Sequence, residues 1–221
     1  MISIVSGVIL VVLSLLVLTA SLMTGWGIFL KSQCRVNTSL KEIALTFDDG
    51  PHPGHTTELL DLLKEKEIKA AFFVIGENAE KYPEIIKRIV AEGHVLGIHS
   101  FYHKPSFTIF SRQAVIDDLT RCKKSIEEIS QTKVTLFRPP YGVTNPNIAA
   151  AVKFLELQSV GWSIRSFDTT GRPEKGILKK VEKALSPGAI ILLHDRLPNC
   201  TSLVGNLLNL LDERGYKVVR L

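Results

Sequence analysis

The chain has 221 residues and a formal net charge of +5 at pH 7, from 27 Lys and Arg against 22 Asp and Glu. This length suffices for one catalytic domain with a substantial core or for two small domains. The basic residues are mixed with acidic ones in segments such as residues 123–130, which indicates solvated helical faces rather than a nucleic-acid interface. Three widely spaced cysteines indicate neither a disulfide framework nor a CxxC metal site.

The N-terminal segment is unusually apolar. No charged side chain occurs from Met1 to Leu30, and a bilayer core needs only about 20 apolar residues. The apolar part of a cleaved signal peptide, the alternative, is usually about 7–15 residues long. We therefore expect residues 1–30 to be a single-pass membrane anchor in the lipid bilayer. Lys31 and Arg35 follow this run, and the positive-inside rule taken alone would place the remainder in the cytoplasm.

After a short polar linker at residues 31–42, strand-like and helix-like patterns alternate to the end of the chain. Apolar runs bounded by turn residues predict strands, and apolar residues spaced three and four apart predict helices. In chain order the predicted elements are a strand at 43–47, a helix at 56–66, a strand at 69–76, a helix at 83–93, a strand at 94–100, a helix at 111–131, a strand at 135–142, a helix at 145–156, a strand at 157–164, a helix at 174–186, a strand at 188–195, a helix at 202–215 and a strand at 216–221.

This alternation predicts an α/β fold with a mainly parallel sheet covered by helices. About seven strand–helix units favour a distorted (β/α) barrel over a small open sheet, and the absence of an internal boundary predicts a single domain over residues 43–221. Active sites of such folds form at the carboxyl ends of the strands. Polar candidates follow the predicted strands at Asp48, Asp49, His99, Arg138, Asp168 and His194, and this clustering indicates an enzyme.

Asp48 and Asp49 are adjacent carboxylates at a strand end. Neighbouring strand residues point to opposite faces, and like charges raise each other's pKa unless a cation lies nearby. A solvated turn at Gly50 and Pro51 would explain the pair without a site. Alternatively, one carboxylate binds a metal ion and the other remains free as a base.

His99 and His103 are four residues apart. On a helical turn, such residues share one face, so two imidazoles can converge on one cation. With a carboxylate from Asp48 or Asp49 they would form a His/His/Asp set typical of catalytic zinc. Structural histidines are the alternative.

Two further positions have both a structural and a chemical interpretation. Arg138 is either a surface residue in a proline-rich loop or a guanidinium that keeps a buried carboxylate ionised and oriented. His194 is either a structural residue at a strand end or, beside an acid such as Asp168, a general acid near neutral pH.

The four motifs TFDDG, HSFYH, RPPY and LLH, at residues 46–50, 99–103, 138–141 and 192–194, follow one another across residues 43–221. In this order they closely resemble those of the polysaccharide deacetylases, the NodB-homology group or carbohydrate esterase family 4. The resemblance implies a distorted (β/α) barrel and one divalent metal ion, usually zinc. It also implies removal of N- or O-linked acetyl groups from sugar polymers.

The resemblance implies roles for individual residues. Asp48 would be the catalytic base, oriented by Arg138, and would take the proton of the attacking water. Asp49, His99 and His103 would be the metal ligands.

On the other side of the expected site, His194 would be the general acid, tuned by Asp168. The backbone N–H of Tyr141 would stabilise the oxyanion, Leu192 would line the acetyl-methyl pocket, and Pro140 would contact the substrate.

One motif departs from the family pattern Asp-x-x-Asp-Trp. Arg165 replaces the first acid with a cation, and Thr169 replaces the tryptophan that forms a groove wall. These changes leave open a glycan-binding or scaffolding protein with the same fold and little turnover. A phosphoacceptor receiver-like domain ranks last, because it leaves the three motif histidines unexplained.

We therefore expect a metal-dependent deacetylase whose partners are an N-acetylated glycan and the lipid bilayer, with no nucleic acid and no obligate protein partner. Peptidoglycan is favoured over a chitin-like glycan because a membrane anchor suggests a substrate in the cell's own envelope. Finished envelope polymer lies outside the cell membrane, so we expect the catalytic domain on the outer face.

Overall fold

The computed structural model of the protein describes residues 12, 15, 16, 18–21 and 24–221. A large part of the predicted membrane segment, residues 1–30, lies outside the described residues. Among those described, no helix has the length and apolar character needed to cross a bilayer.

Eight strands are present in the described part of the chain, and helices separate most of them. The strands are β1 (Glu42–Asp48), β2 (Ala71–Val74), β3 (Val95–Ile98), β4 (Leu136–Phe137), β5 (Gln158–Ser159), β6 (Ile164–Arg165), β7 (Ala189–His194) and β8 (Lys217–Val218). The α-helices that follow β1 are α1 (His55–Glu65), α2 (Gly76–Lys81), α3 (Pro83–Ala91), α4 (Arg112–Ser130), α5 (Pro146–Phe154), α6 (Glu174–Ala184) and α7 (Cys200–Glu213).

Seven of the strands form one curled parallel sheet in the order β5-β4-β3-β2-β1-β7-β6, and β8 pairs with the start of β1. Helices cover the outer face of this sheet. This arrangement confirms the predicted distorted (β/α) barrel. Because all the strands are parallel, their carboxyl ends meet at one rim.

Alternation along the strands separates two apolar layers. Leu45 and Phe47 of β1 pack with helix residues in the large core between sheet and helices. Ala44 points the other way and packs with Phe73 and Ile190 in a small cluster inside the barrel. The lower barrel interior is therefore apolar, and the inward positions nearer the rim are free to carry polar side chains.

The predicted strand at residues 157–164 is two strands, β5 and β6, at opposite edges of the sheet. Its first half pairs with β4, and the Val160 N–H donates to the Phe137 carbonyl. Its second half pairs with β7, and the Ser163 N–H donates to the Ile190 carbonyl. The single-strand prediction was wrong because the segment changes partner where the sheet curls back on itself.

Residues 33–36, here called the closing segment, lie in the gap between β5 and β7. Gln33 forms a parallel bridge with the chain just beyond β5, and Arg35 forms an antiparallel bridge with the first residue of β7. Gly188 has φ 75°, and a Cβ there would lie 2.4 Å from a backbone oxygen of the closing segment. Only glycine allows this approach. Part of the predicted linker therefore packs against the sheet.

Most predicted helices are present, with ends that differ by a few residues. Helix α2 was not predicted, because its sequence GENAEK has no apolar periodicity. All three cysteines are free thiols, as their spacing indicated.

Candidate active site

Asp48 and Asp49 both line a cavity of about 190 Å³ at the carboxyl end of β1, together with His99, His103 and His194. Asp48 is the last residue of the strand, and Asp49 has left-handed backbone geometry with φ 76°. The strand ends between the two residues. The alternation of strand side chains, which would point the two carboxylates to opposite faces of the sheet, therefore no longer applies.

The two histidines of the HSFYH motif converge through an irregular turn, and the predicted helical turn was wrong. His99 follows β3 directly, and residues 99–104 contain no helix. Ser100 and His103 have left-handed backbones with φ 69° and 51°, and the Ser100 hydroxyl accepts a hydrogen bond of 2.9 Å from the His103 N–H. This tight turn brings both imidazoles over the same cavity.

Asp49, His99 and His103 have the geometry of a metal donor set, with their ligand atoms within 4.8 Å of one another. Asp49 Oδ1 lies 3.4 Å from His103 Nε2 and 3.6 Å from His99 Nε2. Tetrahedral zinc with bonds of about 2.0–2.1 Å separates its ligands by roughly 3.3–3.4 Å. The residues therefore fit a divalent ion.

Protonation also suits this set. His99 Nδ1 donates to the Arg138 carbonyl at 2.8 Å, which leaves a lone pair on Nε2. Burial and the nearby His99 lower the pKa of His103 to about 4, so that ring is neutral at pH 7. Burial alone would raise the pKa of Asp49, but His99, His103 and Arg196 outweigh it and lower that pKa.

Arg138 is fully buried and holds Asp48. Its Nη1 donates to Asp48 Oδ1 at 2.7 Å and to the Thr46 hydroxyl at 2.8 Å. Its Nε and Nη2 donate to the carbonyls of Val160 and Gly161 at 3.2 and 2.8 Å. These carbonyls lie where the chain leaves β5, so the guanidinium satisfies acceptors that the sheet does not. The guanidinium also fixes Oδ1 of Asp48. The other carboxylate oxygen, Oδ2, faces His99 and lies 3.7 Å from the His99 Nε2.

His194 and Asp168 form a second ion pair at the rim. His194 Nδ1 and its backbone N–H donate to the two Asp168 oxygens, each at 2.8 Å, and the Ser166 hydroxyl donates to Oδ1 at 2.9 Å. Burial by itself lowers the pKa of His194, but the hydrogen bond and charge of Asp168 outweigh it and raise that pKa. The imidazolium therefore persists to higher pH, as a general acid requires.

The three predicted substrate contacts lie in different places. Tyr141 and Leu192 line the cavity. Tyr141 has φ 60°, its hydroxyl donates to the His103 carbonyl at 2.9 Å, and its backbone N–H has no acceptor among the described residues. Pro140 is buried and does not line the described cavity.

The two residues that follow His194, Asp195 and Arg196, were not identified from the sequence; Arg196 belongs to the site, and Asp195 supports the turn beside it. Arg196 lines the cavity and its Nε donates to Asp49 Oδ2 at 2.8 Å. The Asp195 carboxylate packs on Gly50, where a Cβ would lie 2.1 Å from Asp195 Oδ2. Burial raises the pKa of Asp195 to about 7. The only sequence signal was their position directly after the LLH motif.

Trp162 lines the same cavity, together with Arg165 and Thr169. Thr169 occupies the position where the family pattern has tryptophan. Trp162 therefore supplies an aromatic surface that the sequence did not single out.

Comparison with known proteins finds deacetylases that are similar to this chain over most of its length. The family described as polysaccharide deacetylase matches residues 35–160. Peptidoglycan-N-acetylmuramic acid deacetylase PdaC of Bacillus subtilis is 34% identical over 184 residues, which are 83% of this chain and 38% of PdaC. The chain thus spans less than two fifths of that relative.

Solved structures share the fold. The Bc1960 peptidoglycan N-acetylglucosamine deacetylase has a TM-score of 0.80 and 30% identity, covering 86% of this chain and 90% of that one. BA3943 from Bacillus anthracis, described as a CE4 family pseudoenzyme, has a TM-score of 0.78 and 26% identity, covering 85% and 66%. With its ordered motifs, its barrel and this matched sequence, the chain belongs to the polysaccharide deacetylase family.

Proposed function

We propose that the protein is a metal-dependent hydrolase that removes acetyl groups from N-acetylated sugars of an envelope polysaccharide, with peptidoglycan as its polymer. One observation carries this proposal: a base held by Arg138, a metal donor set and an imidazole held by Asp168 surround one cavity. Metal-assisted hydrolysis of an amide uses a base for the attacking water, a cation for the developing oxyanion and an acid for the leaving amine, and here all three surround one cavity.

Asp49, His99 and His103 would hold the divalent ion, which we take to be zinc. When bound, the ion supplies Lewis acidity toward the acetyl oxygen and toward water. Arg196 donates to Oδ2 of Asp49, and Oδ1 is the oxygen that faces His99 and His103.

Asp48 is the base in this proposal. Because Arg138 holds Oδ1, Oδ2 accepts the proton of the attacking water, whose oxygen forms the new bond to the acetyl carbon. The backbone N–H of Tyr141 donates to the acetyl oxygen as negative charge develops there.

His194 completes the reaction. Its ring gives a proton to the sugar nitrogen while the carbon–nitrogen bond breaks, which yields acetate and a free amine. The Asp168 carboxylate accepts the hydrogen bond from Nδ1 and stabilises the imidazolium until the proton leaves.

Acetate release tests this function. The full chain should release acetate from peptidoglycan more efficiently than from chitin oligomers, and zinc should restore the activity that a chelator removes. Asp48→Asn serves as the matched control with the donor set intact. Acetate release that is equal in the wild type and in this variant would contradict the assigned mechanism.

A second candidate is a glycan-binding protein with little turnover. It is favoured by Arg165 and Thr169 and by the description of BA3943 as a pseudoenzyme. Calorimetry separates the two: glycan binding without any acetate release from zinc-loaded protein would support this candidate.

For location, we propose that residues 1–30 anchor the chain and that the domain lies outside the cell membrane. The uncharged apolar run supports the anchor, and the position of finished polymer supports the orientation; Lys31 and Arg35 oppose it. Protease added to intact cells should digest the domain. Digestion only after lysis would contradict the envelope role.

A further inference from the structure

Large apolar side chains are exposed on one stretch of the catalytic rim. Among residues 24–221, Ile109 is the most exposed of them, at 83%, and Tyr102 and Tyr141 are exposed as well. The Tyr141 hydroxyl donates to the His103 carbonyl at 2.9 Å, in the turn that contains Tyr102. Single apolar residues on a surface need no explanation, but a cluster marks an interaction site. We call Tyr102, Ile109 and Tyr141 the rim patch.

The backbone on both sides of Ile109 is fixed. The preceding residue, Thr108, accepts a hydrogen bond of 2.8 Å from the side-chain amide of Asn145. The following residue, Phe110, accepts one of 3.0 Å from the side-chain amide of Asn147. The loop that follows β4 therefore holds this segment in place, with the Ile109 side chain directed to solvent.

The same loop contacts the end of an apolar part of the N-terminal run. The Thr144 N–H donates to the Ser21 carbonyl at 2.9 Å, and the next residue, Asn145, holds the backbone beside Ile109. The 20 residues before Ser21 carry no charged side chain, and about 20 apolar residues are enough to cross a bilayer core. With that run in the membrane, the loop and the rim patch lie at the membrane surface.

Two cations flank Ile109 along the chain. Lys104 and Arg112 are exposed, and residues 101–116 contain no Asp or Glu. In the part of the chain that the structure describes, neither cation pairs with a carboxylate. Anionic lipid attracts such cations, while apolar side chains enter the boundary between headgroups and acyl chains. Tyrosine also favours this boundary. The charge and the apolar groups of this surface therefore both suit anionic lipid.

We infer that the rim patch lies on an anionic lipid surface, with Ile109 inserted among the headgroups and Lys104 and Arg112 bound to lipid phosphates; this rests on the proposed anchor in residues 1–30. The domain then has two contacts with the bilayer, the apolar run and the rim patch. Tyr141 also lines the catalytic cavity. The second contact therefore orients the cavity relative to the bilayer and keeps it beside the headgroups.

Fluorescence in vesicles tests the contact. The chain has two tryptophans, so Ile109→Trp and Leu40→Trp are each made in a full chain with Trp26→Phe, and the signal of Trp162 is subtracted. Leu40 is the matched control, because it is 63% exposed and precedes β1, at the end of the sheet opposite the rim. In phosphatidylglycerol vesicles with brominated acyl chains, the Ile109→Trp indole should be quenched at least about twofold more than the Leu40→Trp indole, since an inserted group lies about 5–10 Å into the interface.

The same assay tests the cations. Lys104→Gln and Arg112→Gln should each shift the equilibrium between bound and released rim patch roughly fivefold toward release, seen as weaker quenching of the Ile109→Trp indole. High salt should act in the same direction. Lys217→Gln is the matched control, because Lys217 is an exposed cation on β8, which pairs with the start of β1, and it should leave the quenching unchanged. An equal effect of Lys217→Gln would contradict the assigned cations.

Flotation with the vesicles separates this inference from the anchor. A chain that floats but whose two new indoles are quenched equally would overturn the inference and leave the anchor standing, whereas a chain that does not float would overturn both. If the Ile109→Trp indole becomes shielded only as the protein concentration rises, without quenching by lipid, the rim patch binds a second copy and the inference is wrong. No readout here is acetate release, so the outcome does not depend on the proposed deacetylase activity.

Discussion

Replacing Arg138 with methionine would remove the buried cation while keeping much of the side-chain volume. Asp48, 3% exposed, would then lose its partner at 2.7 Å, and the Val160 and Gly161 carbonyls would lose their donor. Removing one member of a buried ion pair costs about 3–5 kcal/mol, and an orphaned buried acceptor about 1–3 kcal/mol. Allowing for relaxation, we expect the free energy of unfolding to fall by about 4 kcal/mol, out of a typical total of about 5–15 kcal/mol.

A double-mutant cycle checks the cause. Arg138→Met leaves the negative charge of Asp48 buried without a partner, and Asp48→Asn removes that charge. The double variant should therefore be more stable than Arg138→Met alone. We expect a coupling of about 2 kcal/mol, measured by urea denaturation of the four metal-free proteins followed by circular dichroism. If Arg138→Met is too unstable to purify, the double variant should still fold. Additive losses, or a cost below about 1 kcal/mol for Arg138→Met, would refute the reasoning.

Three further predictions concern the chemistry. Asp49→Ala and His99→Ala should each lose the bound divalent ion because each removes one donor, and elemental analysis showing full metal content in both would contradict the ligand assignment. Asp48→Asn should keep its metal while kcat falls by about 10² or more, and wild-type turnover would exclude it as the base. Asp168→Asn should lower the pKa of His194 by removing the hydrogen bond and charge that raise it. Since the acid works protonated and the rate falls as pH rises through its pKa, the basic limb of the pH–rate profile should move to lower pH, and an unmoved limb would disprove the pairing.

Much of the candidate site was predictable because strand ends are visible in the sequence. Apolar runs end at Asp48, His99 and His194, and parallel strands bring such positions to one rim. Arg196 was not predictable, because its contact with Asp49 depends on the path of the turn after β7. The shared direction of the two carboxylates was also hidden, since it depends on the left-handed backbone of Asp49.

The fold shows the same division between local pattern and long-range geometry. The strand–helix alternation predicted the barrel, because each element carries its own apolar period. The split between β5 and β6 was not visible, because which neighbour a strand pairs with is decided by how the sheet curls. The left-handed turn from His99 to His103 likewise has no periodic signature.

The closing segment has a consequence for how the domain is made. The Gln33–Gln158 hydrogen bond joins residues 125 positions apart, and the Arg35–Ser186 bond joins residues 151 positions apart. Synthesis proceeds from the N-terminus, so this segment leaves the ribosome long before its partners do. Contacts between such distant residues form slowly. The gap between β5 and β7 therefore stays open during translation. The closing segment, although it is synthesised before these strands, can fill this gap only after β7 has left the ribosome.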